Sequence, residues 1–353
     1  MKRTELTPGY SISRVLNGLW QLSDGHTLHG QLDIDDVKYA FAQLVDHGFT
    51  TFDLADIYGP AENVLGEFLA DISSADSSKK DSIQIHEKYV PDYKILTTVQ
   101  FSDTERIIDR SLKKLGRDYI DLIQYHWWDY DINRYIEVAQ NLVKLQEKGK
   151  IRHIGVTNFD TAHLKQLVDA GIPVISCQSQ YSLLDRRVEK AMIEYGKQAH
   201  IAQICYGTLA GGYFTDKYRA TSSAEAQPPL TPQTRSQVKY AQIIDATVGE
   251  QGYRKMLDLL HDIARKQNTS IAQIASRYIL EKEGVAAVII GIRNSRHVDD
   301  NAKIFDFELS HEDIASIDHF LSTYSTVEGE PYELERDPHS IFRSIIRMNE
   351  AEK

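Results

Sequence analysis

Residues 50–56 read TTFDLAD and residues 83–89 read IQIHEKY, two short runs rich in strand formers with a helical pattern between them. The alternation continues through YIDLIQYHW (119–127), IRHIGVTNF (151–159), VISCQSQY (174–181), IAQICYG (201–207) and AAVIIGI (286–292). With VLNGLW at 15–20, the strands number eight. Strands separated by one helix each run parallel, and eight such units close into a barrel more readily than they form an open sheet. The predicted fold class is therefore α/β, a (β/α)8 TIM barrel, with residues 1–353 forming a single domain.

The intervening segments carry helix signals. Ile34, Val37, Phe41, Leu44 and Val45 fall on one helical face, behind Asp33 as N-cap and ahead of Gly48 as C′ residue. Ser102 and Glu105 have capping-box spacing before Ile107, Ile108, Leu112 and Leu115, and Gly116 ends that run. Tyr135 to Leu145 repeats the pattern before Gly149. RTELTPGYSISR (3–14) reads as a hairpin turning at TPGY, placed to close the bottom of the barrel. The polar stretch from Ala220 to Glu250, containing PPLTP, reads as a long loop, a length that is uncommon unless functional or disordered.

With 42% apolar and 26% charged residues, the 353-residue chain has ample material for a large core. Its formal charge of −11 argues against a general nucleic-acid binder or a polybasic membrane surface, since both need a positive field. Cys177 and Cys205, each within an apolar run, read as small core side chains in a reducing compartment. No signal peptide is legible in MKRTELTPGYSISR, and no run approaches the roughly 18 apolar residues of a membrane span. The expected location is the cytoplasm, and the default oligomeric state is a monomer.

In such a barrel the active site lies at the C-terminal ends of the strands. Asp53 lies in TTFDLAD, Tyr58 in the loop after it, Lys88 near the end of IQIHEKY, and His126 late in YIDLIQYHW. Taken singly, Lys88 reads as a snorkelling strand-end residue, His126 as a satisfied core histidine and Asp53 as a cap. Together and in register they point to catalysis, because unpaired buried charges are costly and these compensate one another. A phenol with a pKa of about 10 is a poor acid or base at neutral pH, but a nearby ammonium stabilises its phenolate. Lys88 supplies that charge, Asp53 keeps Lys88 charged, and His126 hydrogen-bonds the substrate oxygen and orients it.

The segment DLADIYGPAENVLGEFL (53–69) resembles the aldo-keto reductase signature, in which Asp53 and Tyr58 are two of four catalytic residues. HEKY (86–89) and QYHWWD (124–129) resemble the regions that carry its lysine and histidine, here Lys88 and His126. IGVTNF, QSQYSLL, CYGTLAGG and IIGIRNSRHVDDN continue the likeness in family order over approximately residues 10–320, leaving 325–353 as an extension. The resemblance implies a NADP(H)-dependent oxidoreductase that interconverts an aldehyde, ketone or sugar carbonyl with an alcohol. Tyr58 would be its general acid and base, and hydride would leave the pro-R face of the cofactor.

Carried over, the likeness puts Thr157, Asn158 and Gln178 at the nicotinamide carboxamide and stacks Tyr206 on the ring. Gly207 to Lys217 would border the pyrophosphate, with Leu209 and Gly211 as backbone contacts and Lys217 as a charge partner. Gly291, Arg293, His297, Asp300 and Asn301 fall in the segment for the adenosine and its 2′-phosphate. The physics agrees: Gly291 permits close approach, Arg293 offers a bidentate contact, and a following helix N-terminus favours anions. NADP(H) is thus preferred over NAD(H), although His297, where relatives carry Arg or Gln, is expected to weaken that preference or make it depend on pH.

Thr157 replaces a common serine and keeps its hydroxyl. Glu87 stands where threonine is common, and matters only if it turns inward rather than following strand alternation. No GxGxxG motif precedes a helix, as expected for a dinucleotide bound across a barrel mouth, and no metal-ligand set is legible. Trp20, Trp127, Trp128 and Tyr58 are expected around the carbonyl, with the barrel's outer layer as the alternative place for Trp128. DGHTLHG (24–30) would form a rim in which His26 and His29 touch substrate or solvent. Aromatic walls do not choose among carbonyl compounds. The alternative class is a regulatory or sensor subunit that binds the cofactor with little turnover, which turnover measurements separate from an enzyme.

Overall fold

The computed structural model describes residues 2–23, 26, 32–75, 77–220 and 227–346. An antiparallel hairpin, β1 (Arg3–Thr7) and β2 (Tyr10–Ser13), precedes a barrel of eight parallel strands. These are β3 (Val15–Gly18), β4 (Thr51–Ala55), β5 (Gln84–Tyr89), β6 (Ile120–Tyr125), β7 (Ile151–Thr157), β8 (Val174–Gln180), β9 (Ala202–Tyr206) and β10 (Val285–Gly291). They follow one another in sequence order, and β10 closes the ring by pairing with both β9 and β3. Each is one of the eight runs read from the sequence.

The hairpin seals the N-terminal end of the barrel. Leu6, Tyr10 and Ile12 pack onto Leu16, Leu122, Ile204 and Ala287, and the Tyr10 hydroxyl meets His86 Nε2 at 2.9 Å. A sealed bottom leaves the opposite end as the mouth at which strand-end side chains converge on a ligand.

Local signals set most helix ends. Asp33 caps the Ile34–Asp46 helix by accepting from the Asp36 N–H, and Gly48 follows it at φ +87°. The Phe101–Leu115 helix corrects the reading of its start, since the Asp103 carboxylate accepts from the Gln100 N–H at 3.0 Å. Ser102 therefore lies inside the helix, and Glu105 instead binds Lys148 and Lys150 at 2.8 and 3.0 Å. The loop expected from Ala220 to Glu250 also needs correction. Residues 221–226 lie outside the described residues and 227–234 are irregular, but Arg235–Thr247 and Gly249–Lys266 are helices. Thr234 caps the first, whose Tyr240, Ile243 and Ile244 are buried at helical spacing. Its other face is polar, which hid it from a reading of composition.

Among the described residues no helix is long and apolar enough to cross a membrane. Cys177 and Cys205 are buried and free.

Candidate active site

Side chains alternate along a strand, so Asp53 on β4, Lys88 on β5, Gln124 on β6 and Gln178 on β8 all face the barrel interior. The Asp53 carboxylate gathers them. Its Oδ1 pairs with Lys88 Nζ, while Oδ2 accepts from Gln124 Nε2 and Gln178 Nε2, both at 2.7 Å. Lys88 also donates to the Leu54 carbonyl at 3.2 Å. The ion pair is buried yet fully compensated, as charges at this depth must be.

Tyr58 stands just outside this cluster, with Lys88 Nζ 5.3 Å from its ring centroid and the Trp20 ring edge-on to it, the two centroids 4.9 Å apart. Burial, followed by the Asp53 carboxylate, pushes its phenol well above the ordinary value. Burial outweighs the nearby Lys88 ammonium, whose charge Asp53 balances, so the ligand-free protein holds Tyr58 as a protonated acid.

His126 Nδ1 lies 3.2 Å from the Thr157 carbonyl, which can only accept, so Nδ1 carries the proton. Burial, then the Arg336 guanidinium, lowers this imidazole to about 3. The ring is neutral across ordinary pH and turns the lone pair of Nε2 outward. Trp128 and Tyr332 meet it edge-on, at 4.6 and 5.6 Å.

His86, below Lys88 in the barrel, is likewise lowered to about 3 by burial and then by Lys88. Both imidazoles bind protons more weakly in the fold than in the unfolded chain, where the pKa is about 6.5. Their contribution to stability is complete above that value and is lost as pH falls toward 3. Each is expected to cost on the order of 2 kcal/mol at pH 5. Urea unfolding at pH 7.5 and pH 5 checks this: His86→Gln should lose less stability over the interval than the parent, and an equal loss would count against the assignment.

Glu87 follows strand alternation and points outward, away from the mouth. It is 1% exposed, and neither carboxyl oxygen has a hydrogen-bond partner. Burial, then the Glu62 and Asp56 charges, pushes it well above the usual carboxylate range, so it is held as a neutral acid. Glu62 is balanced by Lys114 at 2.7 Å.

A groove of about 450 Å³ crosses the mouth, and Asp53, Tyr58, Lys88, His126, Thr157, Asn158, Gln178, Tyr206, Gly207, Leu209, Gly211, Gly291 and Trp20 all line it. It offers unmet polar valence. The buried Thr157 hydroxyl has no partner, while Asn158, at φ +60°, spends its backbone N–H on Gln178 O at 2.8 Å and its Oδ1 on the Tyr206 hydroxyl at 2.8 Å. The Asn158 side-chain amide N–H groups thus stay available beside an unmet hydroxyl, a donor set that fits a carboxamide. Gly207, at φ +86°, has no room for a Cβ, which would stand 1.9 Å from the Tyr240 hydroxyl.

Other expected residues lie elsewhere. Trp127 is fully buried behind the barrel wall, its indole N–H donating to Asp129 O at 2.7 Å. Trp128 lines the groove instead. Strand parity explains the exchange, since Gln124 and His126 face inward and the next inward position is 128. Lys217 is exposed, with its ammonium 5.3 Å from the Tyr218 ring, and does not line the groove. His297 and Asp300 are exposed, and Arg293 and Asn301 half-buried, in the segment beyond Gly291. The helix there, Val298–Ala302, has only five residues, too short to provide the anion-favouring N-terminus that was expected. Arg293 has no ion-pair partner among the described residues, and both it and Arg235 act electrostatically on His26. His26 is buried and lines the groove, whereas His29 lies outside the described residues. No group of residues among those described could hold a metal ion.

Lys239 and Tyr240 on the Arg235–Thr247 helix, and Tyr332 and Ile346 in the C-terminal segment, also line it. The sequence reading missed them, treating the first pair as loop and the second as an extension.

A family model for the Aldo/keto reductase family matches residues 14–322. The chain is 27% identical over 319 residues to the aldo-keto reductase YhdN of Bacillus subtilis, covering 89% of this chain and 91% of that protein. It is 28% identical over 317 residues to a chloroplastic pyridoxal reductase of Arabidopsis thaliana, covering 86% and 81%. The solved glycerol dehydrogenase of Gluconobacter oxydans has the same fold, with a TM-score of 0.72 at 23% identity over 94% of this chain and 96% of that one. The chain therefore belongs to the aldo/keto reductase family, oxidoreductases of carbonyl substrates that use a nicotinamide cofactor.

Proposed function

We propose that this protein is a NADP(H)-dependent reductase of aldehyde, ketone or sugar carbonyls, with Tyr58 as proton donor. The observation that carries the reading is the compensated Asp53–Lys88 pair beside a protonated Tyr58, at a groove where the Thr157 hydroxyl has no partner. The cofactor, when bound, supplies a hydride from its nicotinamide ring. Thr157 and Asn158 hold the carboxamide beside Gln178, whose own amide is engaged by Asp53, and Tyr206 forms the platform under the ring.

Tyr58 presents its O–H to the carbonyl oxygen and releases the proton as the alcohol forms. Lys88 stabilises the phenolate left behind, and Asp53 holds the Lys88 ammonium in place. With Nδ1–H committed to Thr157 O, His126 accepts from the alcohol O–H through Nε2 instead of donating to the carbonyl. Trp20, Trp128 and Tyr332 form the aromatic walls.

Arg235 lines the groove and Arg293 lies just beyond its Gly291 end, both near enough to act on His26, and a guanidinium there favours the 2′-phosphate of NADP(H). Fluorescence titration is expected to show NADPH binding about tenfold or more tighter than NADH, with Arg293→Ala removing most of the difference. Equal affinities in the parent would overturn the cofactor assignment.

A further inference from the structure

Four buried charges join three segments that are remote in sequence. Glu335 is fully buried on the short helix Glu333–Arg336. Its carboxylate accepts from both terminal nitrogens of Arg187 at 2.9 Å and pairs with Lys239 Nζ at 3.0 Å. Arg187 is also clamped on Asp185 at 2.7 Å, and Asp185 accepts from Gln180 at the end of β8, again at 2.7 Å. Two acids and two bases leave no net charge, and the quartet ties the C-terminal segment to the barrel rim and to the Arg235–Thr247 helix.

Tyr332 lies three residues before Glu335. It has φ +63°, a left-handed conformation that a tyrosine holds only when its surroundings impose it. Its ring meets His126 edge-on at 5.6 Å, and Lys239 Nζ stands 5.7 Å from the Tyr332 centroid and 5.8 Å from that of Tyr206. Arg336 secures the far side by donating to Trp127 O at 2.8 Å.

We propose that Glu335 is a positioning residue: through Arg187 and Lys239 it latches the C-terminal segment over the barrel mouth and holds Tyr332 against His126 as a wall that selects the carbonyl substrate. Glu335 itself touches no reacting atom. Its effect passes through Tyr332, so removing the latch and removing the ring should have the same consequence for substrate binding.

Two measurements test this, of which only the kinetic one rests on the proposed reductase activity. With NADPH and 4-nitrobenzaldehyde as the probe, Glu335→Gln and Tyr332→Ala are each expected to raise KM about tenfold with kcat within about threefold of the parent. The double variant should match Tyr332→Ala alone, and Glu335→Asp, which keeps the charge, should restore most of the affinity. In hydrogen–deuterium exchange, amides of residues 327–346 should exchange about tenfold or more faster in Glu335→Gln, with the barrel strands unchanged. Unchanged exchange in 327–346, or KM effects that multiply to about a hundredfold in the double variant, would overturn the latch. If Glu335→Gln does not fold, the same comparison is made with Lys239→Met, which removes one arm of the quartet, where faster exchange confined to 327–346 supports the latch and unchanged exchange overturns it. A parent without turnover on any carbonyl would refute the reductase reading, and exchange would then decide the latch alone.

Discussion

Tyr58→Phe is expected to lower kcat by about 10²- to 10⁴-fold, the usual contribution of a positioned general acid, while NADPH binds as in the parent. The substitution keeps the ring that packs edge-on against Trp20 and removes only the phenolic O–H. No hydrogen bond of the described structure is lost, because this hydroxyl has its outlet in the groove. Stopped-flow turnover beside a fluorescence titration of NADPH separates the two effects. Unchanged kcat would show that another group supplies the proton, whereas lost cofactor binding would show that Tyr58 has a structural role.

The second large effect is on stability. Asp53→Asn leaves the Lys88 ammonium without its counterion in the barrel interior and gives Gln124 and Gln178 a neutral partner. Breaking one side of a buried, hydrogen-bonded ion pair costs about 3–5 kcal/mol, and urea unfolding at pH 7.5 should register it. Turnover should fall as well, since Lys88 loses the carboxylate that holds its ammonium beside Tyr58. A variant as stable as the parent would mean that Lys88 is solvated or paired elsewhere.

The barrel was legible because each strand is a short run dense in strand formers and each helix carries its own punctuation, as with Asp33 and Gly48. The convergence of Asp53, Lys88 and His126 was legible for the same reason, since one barrel end collects every strand's C-terminus. Trp127 was read toward the pocket and the side of Trp128 was left open, although counting parity from His126 turns 127 outward and 128 inward. The mouth's outer wall was not legible. Tyr332 and Glu335 lie in a segment without long periodic elements, and the partners that fix them, Arg187 and Lys239, are 148 and 96 positions away by residue number. Charge compensation at that range leaves no local pattern. The helix carrying Lys239 was hidden by its polar face, and the pKa of Tyr58 depended on a charge balance that only the folded geometry reveals.

Glu87 shows how a departure from a family pattern can leave the lining of the mouth unchanged. Beside the candidate catalytic lysine in sequence, it faces the opposite side of the sheet and sits as a neutral acid near Asp56 and Glu62.

The most direct test of the central claim is a single-turnover reaction with NADPH deuterated at the pro-R position of C4 and 4-nitrobenzaldehyde, followed by mass spectrometry of the product. The account predicts 4-nitrobenzyl alcohol carrying one deuterium on its new C–H bond. Alcohol without deuterium would contradict hydride transfer from that face, and unreacted aldehyde beside intact NADPH, in a protein shown to bind both, would contradict the reductase itself.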